Sequence, residues 1–229
     1  MKIKTVFFFS SLITISNLLS GQEFNPGKER WTVKTTVNHF RPVKEITLRE
    51  LLTLPAPIRK YSTKSREEYQ DQRFPDTVGR HHLQEGDIVT TYGYLMLAAV
   101  EKDKNGEDGD YHVQIRIKST WGDSCLVVEA TYPPFIIGNK ALQDSCRKVR
   151  EFFDRYVLKG KKKACFGSNG IPAPYVKITG QLFFDAYHMT TPPRGKQNCI
   201  TKEKMKSYTC WEIHPIIAIT FIKKKYGRN

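Results

Sequence analysis

The sequence predicts a mainly β protein built on a five-stranded, OB-like barrel with one helix inside the strand order. Three observations lead to this fold class. Five stretches have the composition of strands, an amphipathic helix falls between the third and the fourth, and two long strands carry a central glycine. The order β-β-β-α-β-β with bent strands is that of a small closed barrel. The pattern lacks a regular alternation of strands and long helices, which disfavours a parallel α/β sheet.

The strands are recognised by β-branched and aromatic residues and by alternation of apolar and polar side chains. They span Asp87–Val100, Asp110–Ser119, Cys125–Thr131, Tyr175–Asp185 and Cys210–Ile222. Gly93 and Gly180 predict bends in the first and fourth strands, and Pro215 predicts an edge or bulge in the fifth. We expect the first strand to pair with the second and fourth, and the fifth strand to close against the first.

Apolar positions in the helix and in the last strand define the expected core. From Asn139, the predicted N-cap, to Tyr156, apolar residues recur at helical spacing. We expect Leu142 and Val149 of this helix to face the last strand or the base of the barrel. In the last strand, alternation predicts one apolar face: Trp211, Ile213, Ile217, Ile219 and Phe221.

The chain before the barrel is predicted to form an N-terminal arm, residues 22–83, followed by the barrel domain at 84–223 and a basic tail at 224–229. The arm contains a short helix near residues 47–54. Thr47 and Glu50 have the spacing of a capping box, and Pro55 ends the helix.

Residues 1–21 have the pattern of a secretory signal peptide. Lys2 and Lys4 precede the apolar stretch Val6–Ile15, and the small residues Ser20 and Gly21 follow it. The apolar stretch is too short to span a bilayer, and no later run reaches the roughly 18–20 residues of a membrane helix. We therefore expect a secreted or periplasmic protein with no transmembrane segment after cleavage.

Composition excludes several classes of protein. The 229 residues are 39% hydrophobic and 12% aromatic, which is too rich for an intrinsically disordered chain. Lys and Arg number 37 against 23 Asp and Glu, so the formal charge is +14. Five cysteines leave at least one thiol outside any bridge within the chain, and no CxxC spacing supports a zinc ribbon.

Three strands place histidine close to acidic residues, and a fourth carries a glutamate. The residues are Asp108, Asp110, His112, Glu129, Asp185, His188, Glu212 and His214. Imidazole and carboxylate groups bind divalent metals, and a carboxylate beside a histidine tunes it for acid–base chemistry. The same groups also suit a structural network that satisfies buried hydrogen bonds. Both interpretations stay open, and a divalent metal is the one cofactor that the sequence suggests.

Basic residues cluster in the loop after the helix and at the C-terminus. Lysine clusters favour phosphate backbones and other polyanions, and exposed aromatic rings stack on bases or sugars. We therefore expect a polyanion partner, either nucleic acid or an acidic glycan, whereas the sequence defines no oligomeric state. The predicted binding residues are Lys161, Lys162, Lys163, Arg116, Tyr92 and Tyr94.

Four stretches, DGDYHVQI, LVVEATYPP, VKITGQLFFDAYH and WEIHPI, resemble a family of uncharacterised bacterial secreted proteins with an OB-like barrel. The shared motifs are a D-x-D-x-H hairpin, a strand glutamate, an FFD-x-x-H strand and a last strand with E-[IL]-H-P. The resemblance covers residues 86–222 and the stretch TLRELLTLPAP, and it implies no activity. The chain departs from the family at Tyr132-Pro133-Pro134, where a cysteine is usual.

The turn Asp108-Gly109-Asp110 also resembles the calcium-holding turn of thermonuclease-type OB nucleases, although the arginine-containing stretch that should follow is absent. The leading hypothesis is a secreted binding module for a polyanion or oligosaccharide. The alternative is a metal-dependent hydrolase or nuclease-like enzyme that uses the acid–His strands. A third option is a structural or interaction protein of the cell envelope. No motif specifies a reaction.

Overall fold

A computed structural model of the protein describes residues 29–37, 41–57, 70–101, 108–136, 140–190 and 193–223. The predicted signal peptide, the basic tail at 224–229 and the predicted N-cap Asn139 lie outside the described residues. Within the described part of the chain, no helix is long and apolar enough to cross a membrane.

The protein is mainly β, with short helices. The strands are β1 (Lys44–Glu45), β2 (Ile88–Val100), β3 (Tyr111–Arg116), β4 (Leu126–Ala130), β5 (Lys163–Cys165), β6 (Tyr175–Phe184) and β7 (Trp211–Phe221). The α-helices are α1 (Trp31–Thr35), α2 (Leu48–Leu52) and α3 (Lys140–Phe152), the last of which continues as a π-helix over Phe153–Leu158. Short 3₁₀ turns span Pro133–Phe135 and Ala186–Thr190.

Five strands close into a barrel in the order β2-β3-β4-β7-β6, with β6 paired back to β2. The strand β4 runs parallel to β7, and the other barrel pairs are antiparallel. The predicted OB-like barrel and its β-β-β-α-β-β order are therefore confirmed, with β1 and β5 as two additional strands on β2.

The predicted closure of the fifth strand against the first is wrong. The last strand, β7, pairs with β4 and β6, whereas β2 pairs with β6 over its first half and with β3 over its second half. The additional strands β1 and β5 also pair with β2, so they occupy the backbone groups that β7 would need.

The bend predicted at Gly93 coincides with the change of partner in β2. Pairing with β6 ends at Tyr94, where pairing with β3 begins, and the register shifts between Leu95 and Leu97. A Cβ atom on Gly93 would lie 2.8 Å from Leu48 Cδ2. The glycine therefore allows the arm to approach the bent strand closely.

Pro215 lies in a bulge of β7, as predicted. Leu182 pairs with Ile213 and Gly180 pairs with Ile216, so the cis peptide His214-Pro215 stands opposite Gln181 alone. A Cβ atom on Gly180 would lie 2.4 Å from the Pro215 carbonyl oxygen, so only glycine fits there.

The bulge also corrects the predicted apolar face of β7. Because the extra residue breaks the two-residue alternation, Ile216 joins Trp211 and Ile213 in the barrel core. Ile217 instead packs, partly buried, on a smaller cluster that includes Leu142, and Phe221 is exposed. Val149 belongs to the main core, so the helix contacts the barrel as expected.

A short helix and a buried ion pair help to fix the N-terminal arm to the barrel. The capping box predicted for α2 is present, since Thr47 and Glu50 bond to each other's backbone amides, and Leu48 and Leu51 are buried. The Arg30 guanidinium lies 2.7 Å from the Glu85 carboxylate, and both side chains are fully buried. The arm therefore packs against the barrel, and α2 contributes Leu48 and Leu51 to the main core.

Candidate functional site on the outer face of the barrel

The pairing of β3, β4 and β7 brings three of the predicted acid–His residues together in one row. His112 of β3 lies directly opposite Glu129 of β4. Val128 pairs with Ile213 in the parallel β4–β7 ladder, which brings Glu129 next to His214. The neighbours Val128 and Ile213 point into the barrel core, so the row lies on its outer face.

His214 is the centre of the cluster. Its Nε2 lies 2.8 Å from Asp110 Oδ2 and 3.3 Å from Glu129 Oε2. Asp110 Oδ1 accepts a hydrogen bond from the backbone amide of Tyr132, and its own amide donates to Asp108. One donor atom from each of four buried residues lies within 4.8 Å of the other three: Asp108, Asp110, Glu129 and His214.

Lys34 of α1 covers this cluster from the arm. Its Nζ lies 3.0 Å from Asp108 Oδ2 and 3.9 Å from Glu129 Oε2. The backbone carbonyl of Lys34 also lies 3.4 Å from His214 Nδ1. The sequence analysis missed Lys34, because it is 74 residues from Asp108 and no local pattern links the two.

Burial and pairing set the charges in the cluster. Burial and the Lys34 charge lower the pKa of His214, but hydrogen bonds to Asp110 and Glu129 outweigh them and raise it to about 9. Burial raises the pKa of Asp110. Burial also acts to raise the pKa of Glu129, but hydrogen bonds with His112 and His214 overcome this effect and hold that pKa well below its usual value. Burial lowers the pKa of Lys34, but Asp108 and Glu129 raise it above its usual range. At neutral pH the cluster contains an ionised Glu129 between two cations.

His112 extends the cluster toward the first barrel strand. Its Nδ1 lies 3.4 Å from Glu129 Oε1 and 3.8 Å from Glu101 Oε1. Its Nε2 is buried and has no hydrogen-bond partner among the described residues. A proton on Nδ1, donated to Glu129, leaves Nε2 with an accepting lone pair.

The remaining predicted residues form a second group at the end of β6 and on β7. Arg194 Nη1 lies 2.7 Å from Asp185 Oδ2 and also contacts Glu212, while His188 Nδ1 contacts Asp185. Hydrogen bonding to His188 and the Arg194 charge overcome the effect of burial and lower the pKa of Asp185. Arg194 is a further residue that the sequence analysis missed.

Phe183 lies between the two groups. Its ring centroid is 5.8 Å from that of His214 and 6.0 Å from Lys34 Nζ. Asp185 also contributes to the raised pKa of Lys34. All eight acid–His residues of the sequence prediction therefore lie on one side of the barrel, in two adjacent groups.

The predicted basic residues fall at different places. Lys163 is in β5, where burial and the charges of Lys196 and Lys202 lower its pKa, and Lys161 and Lys162 precede it. Arg116 donates to the carbonyls of Thr120, Asp123 and Ser124, so its guanidinium supports the turn between β3 and β4.

The two predicted aromatic residues lie on β2. Tyr92 donates from its hydroxyl to Glu45 Oε2 at 2.9 Å, and Tyr94 packs at 4.8 Å between ring centroids on Tyr175. Tyr92 also lies 5.9 Å from Lys177 Nζ. On the outer surface of the barrel, Tyr92 therefore contacts β1 and Tyr94 contacts β6.

A lysine rim, defined here as Lys163, Lys196 and Lys202, borders the acid–His cluster. A disulfide between Cys165 and Cys199 joins β5, which carries Lys163, to the loop between β6 and β7, which carries Lys196 and Lys202. Lys196 Nζ lies 2.6 Å from Glu101 Oε1, the same oxygen that faces His112. The rim and the cluster are therefore continuous through Glu101.

No protein-family model matches the chain, and neither curated proteins nor solved structures yield a match.

Proposed function

We propose that the protein binds an anionic polymer at the lysine rim. The observation that carries this proposal is that the Cys165–Cys199 disulfide and a hydrogen bond from Lys163 to the Gln197 carbonyl hold Lys163 beside the loop of Lys196 and Lys202. Burial, and after it the charges of Lys196 and Lys202, lower the pKa of Lys163. Like charges held together destabilise the free protein, and an anionic ligand relieves that repulsion.

Covalent and hydrogen-bonded links support the rim in its present form. The Cys165–Cys199 disulfide fixes the loops, Lys163 donates to the Gln197 carbonyl, and Lys202 donates to the Cys199 carbonyl. A rim that is already ordered loses little conformational entropy when a ligand binds.

The position of the rim in the barrel supports the same function. Lys196 and Lys202 lie on the loop between β6 and β7, which contacts β3 through the hydrogen bond from the Lys196 amide to Gln114. Lys163 lies beside this loop, on β5. In OB barrels generally, the loop between the last two barrel strands and the face of the second and third strands bind oligonucleotides and oligosaccharides. The formal charge of +14, which becomes +12 when Lys2 and Lys4 leave with the signal peptide, adds long-range attraction for a polyanion.

Salt dependence tests the proposal. Binding of single-stranded DNA, heparin and polygalacturonate is measured by fluorescence anisotropy between low and physiological salt. The dependence of log affinity on log salt is expected to weaken by up to about three units when all three rim lysines are changed to glutamine, at roughly one unit per phosphate contact. The DNA and glycan arms identify the polymer class.

A matched control distinguishes the effect of the rim lysines on binding from the effect of the overall charge. Changing Lys140, Lys148 and Arg155 to glutamine removes the same charge from exposed positions on the helix. This variant is expected to keep most of the salt slope of the natural chain. An equal loss of binding in both triple variants, or an affinity that salt does not affect in the natural chain, contradicts the proposal.

A metal-dependent hydrolase or nuclease-like enzyme is the second candidate function. The four donor atoms within 4.8 Å favour it, because they lie beside a rim that is suited to an anionic substrate. Hydrolysis of labelled DNA or acidic glycan that requires a divalent metal, and that disappears in an Asp110→Asn variant shown by circular dichroism to be folded, supports this candidate. Binding without turnover under every metal condition supports the binding module alone.

Export is part of the proposal. We infer from the first 21 residues that the protein is secreted or periplasmic. Mass spectrometry of the mature protein is expected to find an N-terminus at Gly21 or Gln22. A mature protein that begins at Met1 contradicts this inference.

A further inference from the structure

The cluster around His214 has the dimensions of a metal-coordination shell. Two ligand atoms on one divalent ion are at most about 4–5 Å apart, since each lies about 2.0–2.6 Å from the ion. The four donor atoms all lie within 4.8 Å of one another, and all four residues are buried. They form a mixed set of three carboxylates and one imidazole.

His112 supplies a second observation that points to a ligand. Its side chain is only 9% exposed and lies against Glu129 of the cluster, yet its Nε2 has no hydrogen-bond partner in the described part of the chain. A buried polar atom requires a partner. Because Nδ1 is the nitrogen that faces Glu129, Nε2 lies on the other side of the ring and is not one of the four donor atoms. Its lone pair suits a water molecule at the border of the site.

We propose that Asp108, Asp110, Glu129 and His214 form a divalent-cation site in which the Lys34 ammonium is a built-in competitor. Lys34 Nζ contacts oxygens of Asp108 and Glu129, so an ion bound to the same oxygens displaces it. Carboxylate oxygens combined with imidazole nitrogen suit Mn²⁺ and Zn²⁺.

This site shares no residue with the lysine rim, although Glu101 connects the two. The rim binds anions through ammonium groups, whereas the cluster binds a cation through carboxylates and imidazole. Failure of the cation site therefore leaves the polyanion proposal intact, and failure of polyanion binding leaves the cation site intact.

The first experiment uses the natural chain. The protein is dialysed against a chelator and titrated with Mn²⁺ and Zn²⁺ by calorimetry, and bound metal is counted by mass spectrometry. One ion per chain is expected. With Mn²⁺, electron spin-echo spectra are expected to show coupling to a histidine nitrogen, because His214 is a ligand. Absence of binding at about 1 mM metal, the upper end of the dissociation constants of weak sites, overturns the proposal. Mn²⁺ that binds without nitrogen coupling also overturns it.

Variants then test the competition. Lys34→Met keeps the length of the side chain and removes its charge, so Mn²⁺ affinity is expected to rise about tenfold or more, the scale on which groups next to a metal's ligands act. Asp108→Asn and Asp110→Asn are expected to lose the ion. Asp87→Asn is the matched control, because Asp87 is a buried carboxylate paired with Arg41 and Lys44 outside the cluster.

Circular dichroism establishes that each variant is folded before metal is added. An unchanged or weaker affinity in Lys34→Met, or a bound ion that persists in both aspartate variants, overturns the assignment. If the aspartate variants do not fold, the nitrogen coupling in the natural chain and the affinity of Lys34→Met decide the question.

Discussion

His214 Nε2 lies 2.8 Å from Asp110 Oδ2, and neither side chain is exposed to solvent. The two residues come from β7 and from the residue just before β3, and they are 104 positions apart in the chain. Their contact joins the last barrel strand to the turn that precedes β3. The pair therefore links the stability of the barrel to the geometry of the candidate site.

Removing one member of this pair is expected to destabilise the fold strongly. Asp110→Asn leaves the buried His214 without its closest carboxylate, and breaking a buried ion pair costs about 3–5 kcal/mol. Urea unfolding in the presence of a chelator measures the change. Asp144→Asn, an acid that forms ion pairs on the helix surface, is the control and is expected to change stability by less than about 1 kcal/mol. Equal effects of the two substitutions contradict the role of the pair.

Because of the bulge at Pro215, Ile216 rather than Ile217 is expected to contribute more to stability. Ile216 is 0% exposed in the barrel core, whereas Ile217 is only partly buried. Ile216→Ala is therefore expected to cost about 2–5 kcal/mol, the range for a truncated core residue. Ile217→Ala is expected to cost clearly less, because the side chain retains solvent contact. Denaturant unfolding of both variants checks the order, and a larger loss for Ile217 would show that the strand face is assigned incorrectly.

Local sequence patterns were sufficient to predict the helices and strands, but not to predict which strands pair to close the barrel. Alternation in β3 correctly placed Tyr111 and Val113 in the core, and the capping-box spacing of Thr47 and Glu50 correctly located α2. Alternation failed between Pro215 and Ile217, because the bulge at Pro215 adds one residue and places Ile216 rather than Ile217 in the core. A second register shift between Ile216 and Ala218 restores the predicted face, so Ile219 packs against the main core as expected. The sequence marked the site of the bulge without showing its effect on the register.

The candidate site was predictable in composition and not in contacts. The acidic and histidine residues could be selected because each follows a strand motif, and the structure brings them to one side of the barrel. Lys34, Arg194 and Lys196 could not be selected, because each comes from an arm or loop whose position depends on tertiary packing. The disulfide partners Cys165 and Cys199 were likewise among several pairings that five cysteines allow.

The three free cysteines are expected to differ in reactivity. Burial raises the pKa of Cys125 to about 11 and that of Cys146 to about 12, and both thiols are buried. Cys210 is less buried. Because the thiolate is the reactive form, iodoacetamide at pH 8 should label Cys210 first and the other two only on unfolding. Peptide mass spectrometry at several times measures the order, and fast labelling of Cys146 in the native protein contradicts its placement on the buried face of α3.

The capping box of α2 predicts that the stability of the protein depends on pH in the acidic range. Hydrogen bonds from Arg80 and Thr47 lower the pKa of Glu50 from 4.5 to about 2. A carboxylate with a depressed pKa in the folded state stabilises the protein above its unfolded pKa and loses that contribution as pH falls. The contribution of Glu50 should therefore be complete above pH 4.5 and disappear as the pH falls through 2.

Comparison of the natural chain with Glu50→Gln isolates this contribution. The variant should be less stable at pH 7, and the difference between the two proteins should shrink as the pH falls from 4.5 toward 2, because protonated Glu50 and glutamine are both neutral. Thr47→Ala, which removes the other half of the capping box, is expected to cost about 0.5–2 kcal/mol. The destabilisation that Thr47→Ala causes at neutral pH measures how much stability the cap contributes. A difference for Glu50→Gln that stays constant from pH 7 to pH 2 would mean that its charge contributes nothing to the cap.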